Sequence, residues 1–327
     1  MSQLCVCDPQ GTARALGPLL AKGGEGAVYP LRERNDILIK WYHPEQLRKR
    51  SSILQPKVEA MCGMAAAQKL DSLSWPLFSV YDESGSWIGY TMRRAQGKQL
   101  FLLAHAVLYK RHFGQLDRSR IVGYLLDLLA RIEQLHRAGI MIGDYNLNNF
   151  LADPQSGKVA LLDCDSYQVH AGKHRFACPV GSADMTPKEH QNRAFSELVR
   201  TEQSEAFSVA IVLFKCLMLG RHPYDIVGGE DPVTNLCRGN FAYGTGNRGI
   251  PQGAWYNIWS HMPHRLKQMF ITTFTDGADD PQCRPSLSDW QEALQLYGRE
   301  MAKGWHARDI VPAQPKSSEY RGNRAEP

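Results

Sequence analysis

Ile142-Gly143-Asp144-Tyr145-Asn146-Leu147-Asn148-Asn149 sets an acid and an amide five residues apart, and Asp163, in Leu161-Leu162-Asp163-Cys164-Asp165, follows fourteen residues after Asn149. That spacing suits a loop presenting a hydroxyl-activating base and a metal ligand on one side. The apolar run Val159 to Leu162 reads as one arm of a short hairpin, which delivers Asp163 as a second ligand to the same spot. Alone, such a pattern also fits an ordinary polar loop, so its weight depends on what accompanies it.

Companions occur on both sides. Upstream, Ala21-Lys22-Gly23-Gly24-Glu25-Gly26-Ala27-Val28-Tyr29 is a glycine turn between apolar positions, and Gly23, Gly24 and Gly26 let backbone N–H groups approach an anion. Ile37-Leu38-Ile39-Lys40 is an apolar strand ending in lysine, and Glu59 follows nineteen residues later on a helical stretch. Downstream come Gly181-Ser182, Pro187-Lys188-Glu189, Glu205-Ala206-Phe207-Ser208, Gly220-Arg221-His222-Pro223-Tyr224 and Arg284-Pro285-Ser286.

In this order and at these spacings, the motifs over roughly residues 15 to 300 resemble those of the protein kinase superfamily. The resemblance implies an α+β fold of two lobes: a small, mainly antiparallel β lobe with one helix, then a larger, mainly helical lobe. It also implies residue roles. Asp144 orients and deprotonates the acceptor hydroxyl, Lys40 holds nucleotide phosphates with Glu59 orienting it, and Asn149 and Asp163 ligate Mg²⁺, with Mn²⁺ as a substitute. Gly23, Gly24, Gly26, Val28 and Met92 line the ATP pocket, with Met92 at its back and residues 93–97 as the hinge. Ser182 belongs to the substrate-docking loop, and Glu189 pairs with Arg284 as a buried ion pair. The activity implied is ATP- and Mg²⁺-dependent phosphorylation of serine or threonine in a protein substrate, in bacterial signalling or stress response. Within the superfamily, the catalytic loop and Pro-x-Glu are most similar to bacterial kinases of tellurite-resistance loci. That narrower resemblance implies a von Willebrand A-domain protein and a cognate protein phosphatase as partners.

Departures from the pattern keep two alternatives open, a pseudokinase acting as a binding or scaffolding module and a small-molecule kinase. Ala21 replaces the first loop glycine, Gly143 stands where regulated kinases carry arginine, and Asn146 stands where many place lysine. With no arginine at 143, phosphorylation of the activation segment should not be needed to order it. Asp163-Cys164-Asp165 replaces Asp-Phe-Gly, so Asp165 is expected at a position that often uses positive φ, which Asp tolerates.

Composition agrees with one globular enzyme: 43% hydrophobic, 22% charged, net charge +5 without a long basic block. No nucleic-acid signature accompanies that charge, so no nucleic-acid partner is expected. The longest apolar stretch, Val209 to Leu219, holds Lys215 and is too short for a bilayer, and no secretory signal is visible. The eight cysteines show no paired framework, which points to reduced thiols and a cytoplasmic protein. Cys164, His170, His174 and Cys178 are close enough in sequence for zinc, but Cys164 should sit inward and the histidines face solvent. The expected organisation is an N-terminal extension (1–14), a first lobe with hinge (15–97), a second lobe (98–303) and a disordered tail (304–327). Pro56 is expected to interrupt the first helix, and Ile121, Leu125, Leu128, Leu129, Ile132 and Leu135 form a core-facing helical stripe capped by Gly139.

Overall fold

The computed structural model describes residues 4–244, 249–251 and 253–316. Its first lobe is a seven-stranded antiparallel sheet of β1 (Cys5–Cys7), β2 (Ala13–Ala15), β3 (Ala21–Lys22), β4 (Gly26–Pro30), β5 (Ile37–Tyr42), β6 (Phe78–Tyr81) and β7 (Trp87–Arg93), in the order β2-β1-β6-β7-β5-β4-β3. Helices α1 (Pro44–Cys62) and α2 (Ala65–Gln68) connect β5 to β6. The hairpin β1–β2 pairs with β6 through Cys7 and Tyr81, so residues 5–15 belong to this sheet and are no separate extension. Val6 and Leu16 are buried with Ile39, Val80 and Ile88, which is why this stretch docks.

Pro56 lies inside α1 without breaking it. It is exposed, and the helix is held by the inward residues Leu54, Lys57, Val58 and Met61, whose spacing of three and four defines one buried face. That periodicity turns Glu59 outward. The turn 82–86 is held by Asp82 Oδ1, which accepts from Ser84 N and Ser86 N, both at 2.9 Å.

The second lobe begins with β8 (Lys98–Gln99), α3 (Leu100–Leu103), α4 (Leu108–His112) and α5 (Arg118–Arg137). β9 (Phe150–Ala152) and β10 (Val159–Leu161) complete a small sheet with β8, and β11 (Val169–Ala171) pairs with β12 (His174–Phe176). Then follow α6 (Glu202–Leu217), α7 (Pro232–Arg238), α8 (Ala254–His261), α9 (His264–Phe274), α10 (Asp276–Asp279) and α11 (Leu287–Ala302). The stripe on α5 is buried throughout and packs on α6 and α11, and α6 is buried almost all round. This is a two-lobe α+β architecture of the protein-kinase type. None of the helices among the described residues is long and apolar enough to cross a membrane.

Residues 304–316 are packed on the second lobe and do not form a disordered tail. Buried Arg118 donates to Ile310 O (2.6 Å) and Leu217 O (3.3 Å), and Asn257 Nδ2 donates to Pro312 O (3.0 Å). A buried guanidinium must spend its N–H groups somewhere, and here backbone carbonyls of this segment take them. The rest of the expected tail, 317–327, lies outside the described residues.

Glu189 and Arg284 meet as a bidentate pair, Nη1 to Oε1 at 2.7 Å and Nη2 to Oε2 at 2.8 Å, while Arg284 Nε donates to Gly277 O at 2.6 Å. The arginine is wholly buried, whereas Glu189 keeps a solvent-facing edge. Arg284→Ala strands a carboxylate and two carbonyls, Gly277 O and Gln203 O. It should therefore lower unfolding free energy by about 3 kcal/mol in denaturant titration. Unchanged stability would show that the pair contributes little.

Candidate active site

Between the lobes lies a cleft of about 600 Å³, whose lining includes Gly23, Gly24, Glu25, Gly26, Val28 and Lys40 from the first lobe and Asn149, Leu151 and Asp163 from the second. Met92 and Leu38 are cross-strand partners that close its back, and Arg94 and Ala95 line it at the link between lobes. The glycine turn is built by close approach: a Cβ on Gly26 would stand 2.4 Å from Trp41 O, so no side chain fits there. Gly23 and Gly24 meet nothing around a Cβ and leave that end of the cleft open.

Lys40, at the inner end of this cleft, is buried and held by carboxylates. Asp165 accepts from it with both oxygens, at 2.9 and 2.8 Å, Glu25 lies at 3.4 Å and Asp163 at 3.6 Å. Burial disfavours its charge, but Asp165, Asp163 and Glu25 outweigh that and raise its pKa. Asp165 is only 3% exposed and also accepts from Tyr42 Oη (2.5 Å) and Tyr90 Oη (2.8 Å). Burial alone would raise its pKa. Lys40 and the two tyrosines overcome this and bring it to about 2.

The expected Lys40–Glu59 pair is absent. Glu59 is exposed and accepts from Gln55 at 2.8 Å on its own helix. The inward place is taken by Lys57, which donates to Ala177 O at 3.1 Å and whose pKa burial lowers to about 8. The carboxylate that orients Lys40 therefore comes from Asp163-Cys164-Asp165. Asp165 was read only as a backbone position, and that too needs correction. The left-handed residue is Asp163 (φ 50°, ψ 38°), while Asp165 lies in the 3-10 turn Cys164–Ser166.

Asn149 and Asp163 are brought together by the register of β9 and β10: Leu161 opposes Phe150, and Leu162 N donates to Asn149 O at 2.8 Å. Asn149 Nδ2 donates to Asp144 Oδ2 at 3.1 Å, which fixes the amide and leaves its oxygen free. Asp163 has a 58% exposed side chain facing the cleft. Burial raises the pKa of Asp144, against the hydrogen bond from Asn149. One carboxylate and one amide oxygen are a hard, incomplete donor set. They fit Mg²⁺ or Mn²⁺ only if phosphate oxygens and water supply the remaining positions. Consistently, no group of three or more His, Cys, Asp or Glu arranged for a metal occurs among the described residues. Cys164 and Cys178 are buried on separate carbonyl contacts, and His170 and His174 are exposed on the β11–β12 hairpin.

The loop carrying Asp144 hangs from Glu205 on α6. Glu205 accepts from Gly143 N (2.6 Å) and Tyr145 Oη (2.7 Å), and its Oε2 lies 2.7 Å from His136 Nε2. Asn146 Oδ1 accepts from Asn148 N at 2.9 Å and caps the short turn leading to Asn149. Further along, Ser182 O accepts from Thr186 Oγ1 at 2.8 Å, which shapes the segment that ends at Glu189. Arg175 donates to Leu198 O (2.9 Å), which ties the β11–β12 hairpin to the stretch before α6.

The fold is a two-lobe, protein-kinase-like one. The chain is similar to Protein kinase YegI of Escherichia coli (strain K12), at 29% identity over 303 residues, covering 90% of this chain and 46% of the relative. It is likewise 29% identical over 297 residues to Protein kinase YegI of Escherichia coli O157:H7, covering 88% and 45%. The chain thus spans about half the length of the curated relatives it matches. No protein-family model matches it. Neither relative's name carries a tellurite-locus association, so the partners drawn from that resemblance have no support from the comparisons.

The two acids on offer to Lys40 can be separated by mutation. Glu59→Gln should leave the unfolding free energy unchanged. Asp165→Asn should lower it by about 3 kcal/mol, because the lysine and two tyrosines lose their common acceptor. The reverse ranking would restore Glu59.

Proposed function

We propose that this chain transfers the γ-phosphoryl group of ATP, with Mg²⁺ or Mn²⁺, to a serine or threonine hydroxyl of a protein substrate. The observation that carries this reading is the convergence at one end of a nucleotide-sized cleft of a buried lysine, an amide oxygen and an acid, with a second acid beside them. Val28, Leu38, Leu151 and Met92 supply apolar walls for a base, and the link 93–97 supplies backbone groups to read it. Lys40 binds phosphate oxygens, which replace Glu25; Glu25 then keeps its 2.9 Å bond to Arg50. Asn149 and Asp163 hold the divalent ion, which when bound neutralises charge between the phosphates.

Asp144 orients the acceptor hydroxyl and takes its proton as the oxygen bonds to phosphorus and the bond to ADP breaks. Its carboxylate is shielded and tethered by Asn149, so positioning is its main contribution. The docking segment around Ser182, fastened through Glu189 and Arg284, favours a protein over a small molecule as acceptor. The buried Lys40–Asp165 pair and a free-facing Asp163 favour catalysis over a scaffold role.

Asp144→Asn keeps the shape but removes the base. Single-turnover transfer from Mg-ATP should fall by ~10²–10⁴-fold while nucleotide affinity survives. Transfer within a few-fold of wild type would move the base elsewhere, and nucleotide binding without transfer in the wild type would favour a pseudokinase.

A further inference from the structure

Arg200, at the end of the extended stretch before α6, is only 4% exposed. Its backbone is clamped by Gln168, which accepts from Arg200 N and donates to Arg200 O, both at 2.9 Å. That clamp does not involve the side chain. The guanidinium stands over the Phe195 ring at 5.6 Å, and its Nη1 lies 3.4 Å from His190 Nδ1. Burial and then Arg200 lower the pKa of His190, which disfavours a second cation beside the guanidinium. Arg200 Nε and Nη2 are shielded from solvent yet have no hydrogen-bond partner. Idle N–H groups on a buried cation are costly, and such defects call for an explanation.

Asp144 carries the matching defect. Its Oδ2 is taken by Asn149, while Oδ1 is shielded and unpartnered. Arg200 lies beside Gly143 (φ 75°), the residue that precedes Asp144. A Cβ at 143 would stand 2.7 Å from both Cβ and Sγ of Cys178 and 3.5 Å from Arg200 Nε. A side chain there would collide with Cys178, and the arginine lies within contact range of the same spot. The loop supplies no cation itself: residues 142–149 hold no lysine or arginine, and Asn146 is occupied in capping its own turn. Among the charges acting on Asp144, Asp163 and Asp184 are like charges, and Arg200 is the one that opposes them.

We propose that Arg200 is a positioning residue for phosphoryl transfer. Its guanidinium, shielded beside Gly143, orients the Asp144 carboxylate and balances its charge. It acts through space in a shielded region, where charges couple far more strongly than in water. The inference rests on Asp144 as the base.

The test compares Arg200→Met and Arg200→Lys, each in wild-type and Asp144→Asn backgrounds, using radiolabelled Mg-ATP with dephosphorylated casein as acceptor. In the wild-type background Arg200→Met should slow single-turnover transfer about 10-fold or more, with Mg-ATP affinity essentially unchanged and Arg200→Lys recovering most of the rate. In the Asp144→Asn background the same change should cost less than about two-fold, because the group it acts on is gone. Equal losses in both backgrounds, or none in either, would overturn the proposal. Denaturant unfolding of the same four Met and Asn combinations reads the coupling without turnover: non-additive stabilities support it, and additive ones sink it. Wild type that binds Mg-ATP but transfers nothing would instead sink the phosphoryl-transfer reading and the catalytic half of the proposal with it. The coupling in unfolding would then decide the Arg200–Asp144 pairing alone.

Discussion

A lysine ammonium sealed in a cleft needs an anion beside it, and at Lys40 that anion is delivered from the second lobe. Asp165 accepts from Lys40 with both oxygens and from two tyrosines of the sheet, so β5, β7 and the turn after β10 meet at one carboxylate. The same turn carries Asp163. Fixing Asp165 therefore also fixes the acid that faces the cleft, two residues away in a left-handed conformation. The two lobes are tied by this ion pair and also by α1, whose inward Lys57 donates to Ala177 O of the second lobe.

The second dependency runs through α6. Glu205 holds the loop that carries Asp144 by one backbone N–H, one tyrosine and one histidine. The loop can therefore be built with glycine at 143 and no cation of its own, because its anchoring does not rely on side chains of residues 143 and 146. Arg284 and Glu189 hold the following segment against α10, and Arg118 fastens residues 309 and 310 to the start of α5. Each of these buried cations is matched by acceptors from a distant part of the chain, which sets the shape of the second lobe.

Much of this was legible in the sequence where function depends on local spacing. Asn149 and Asp163 flank the β9–β10 hairpin and Asp144 is tied to Asn149, so their convergence follows from short-range geometry. Glu189 with Arg284 came from a resemblance that holds over 95 residues of separation. Glu59 failed because a distance along the chain was used without the helical phase. Leu54, Val58 and Met61 mark the buried face and already place 59 outside it. Asp165 was missed as a partner of Lys40 because nothing local links residues 125 apart, though two tyrosines and a lysine on inward strand positions left an unclaimed set of donors. Residues 5–15 and 304–316 were set aside for their polarity and turns. A few buried anchors, Val6, Leu16 and Ile310, were enough to dock them.

The central claim is that Asp165, across the lobe boundary, is what fixes Lys40. A double-mutant cycle of Lys40→Met and Asp165→Asn, read by denaturant unfolding, tests it most directly. The account predicts a coupling of at least about 2 kcal/mol, with the double variant far less destabilised than the sum of the singles. Additivity within about 0.5 kcal/mol would contradict it and return the anchoring of Lys40 to Glu25 or to another acid.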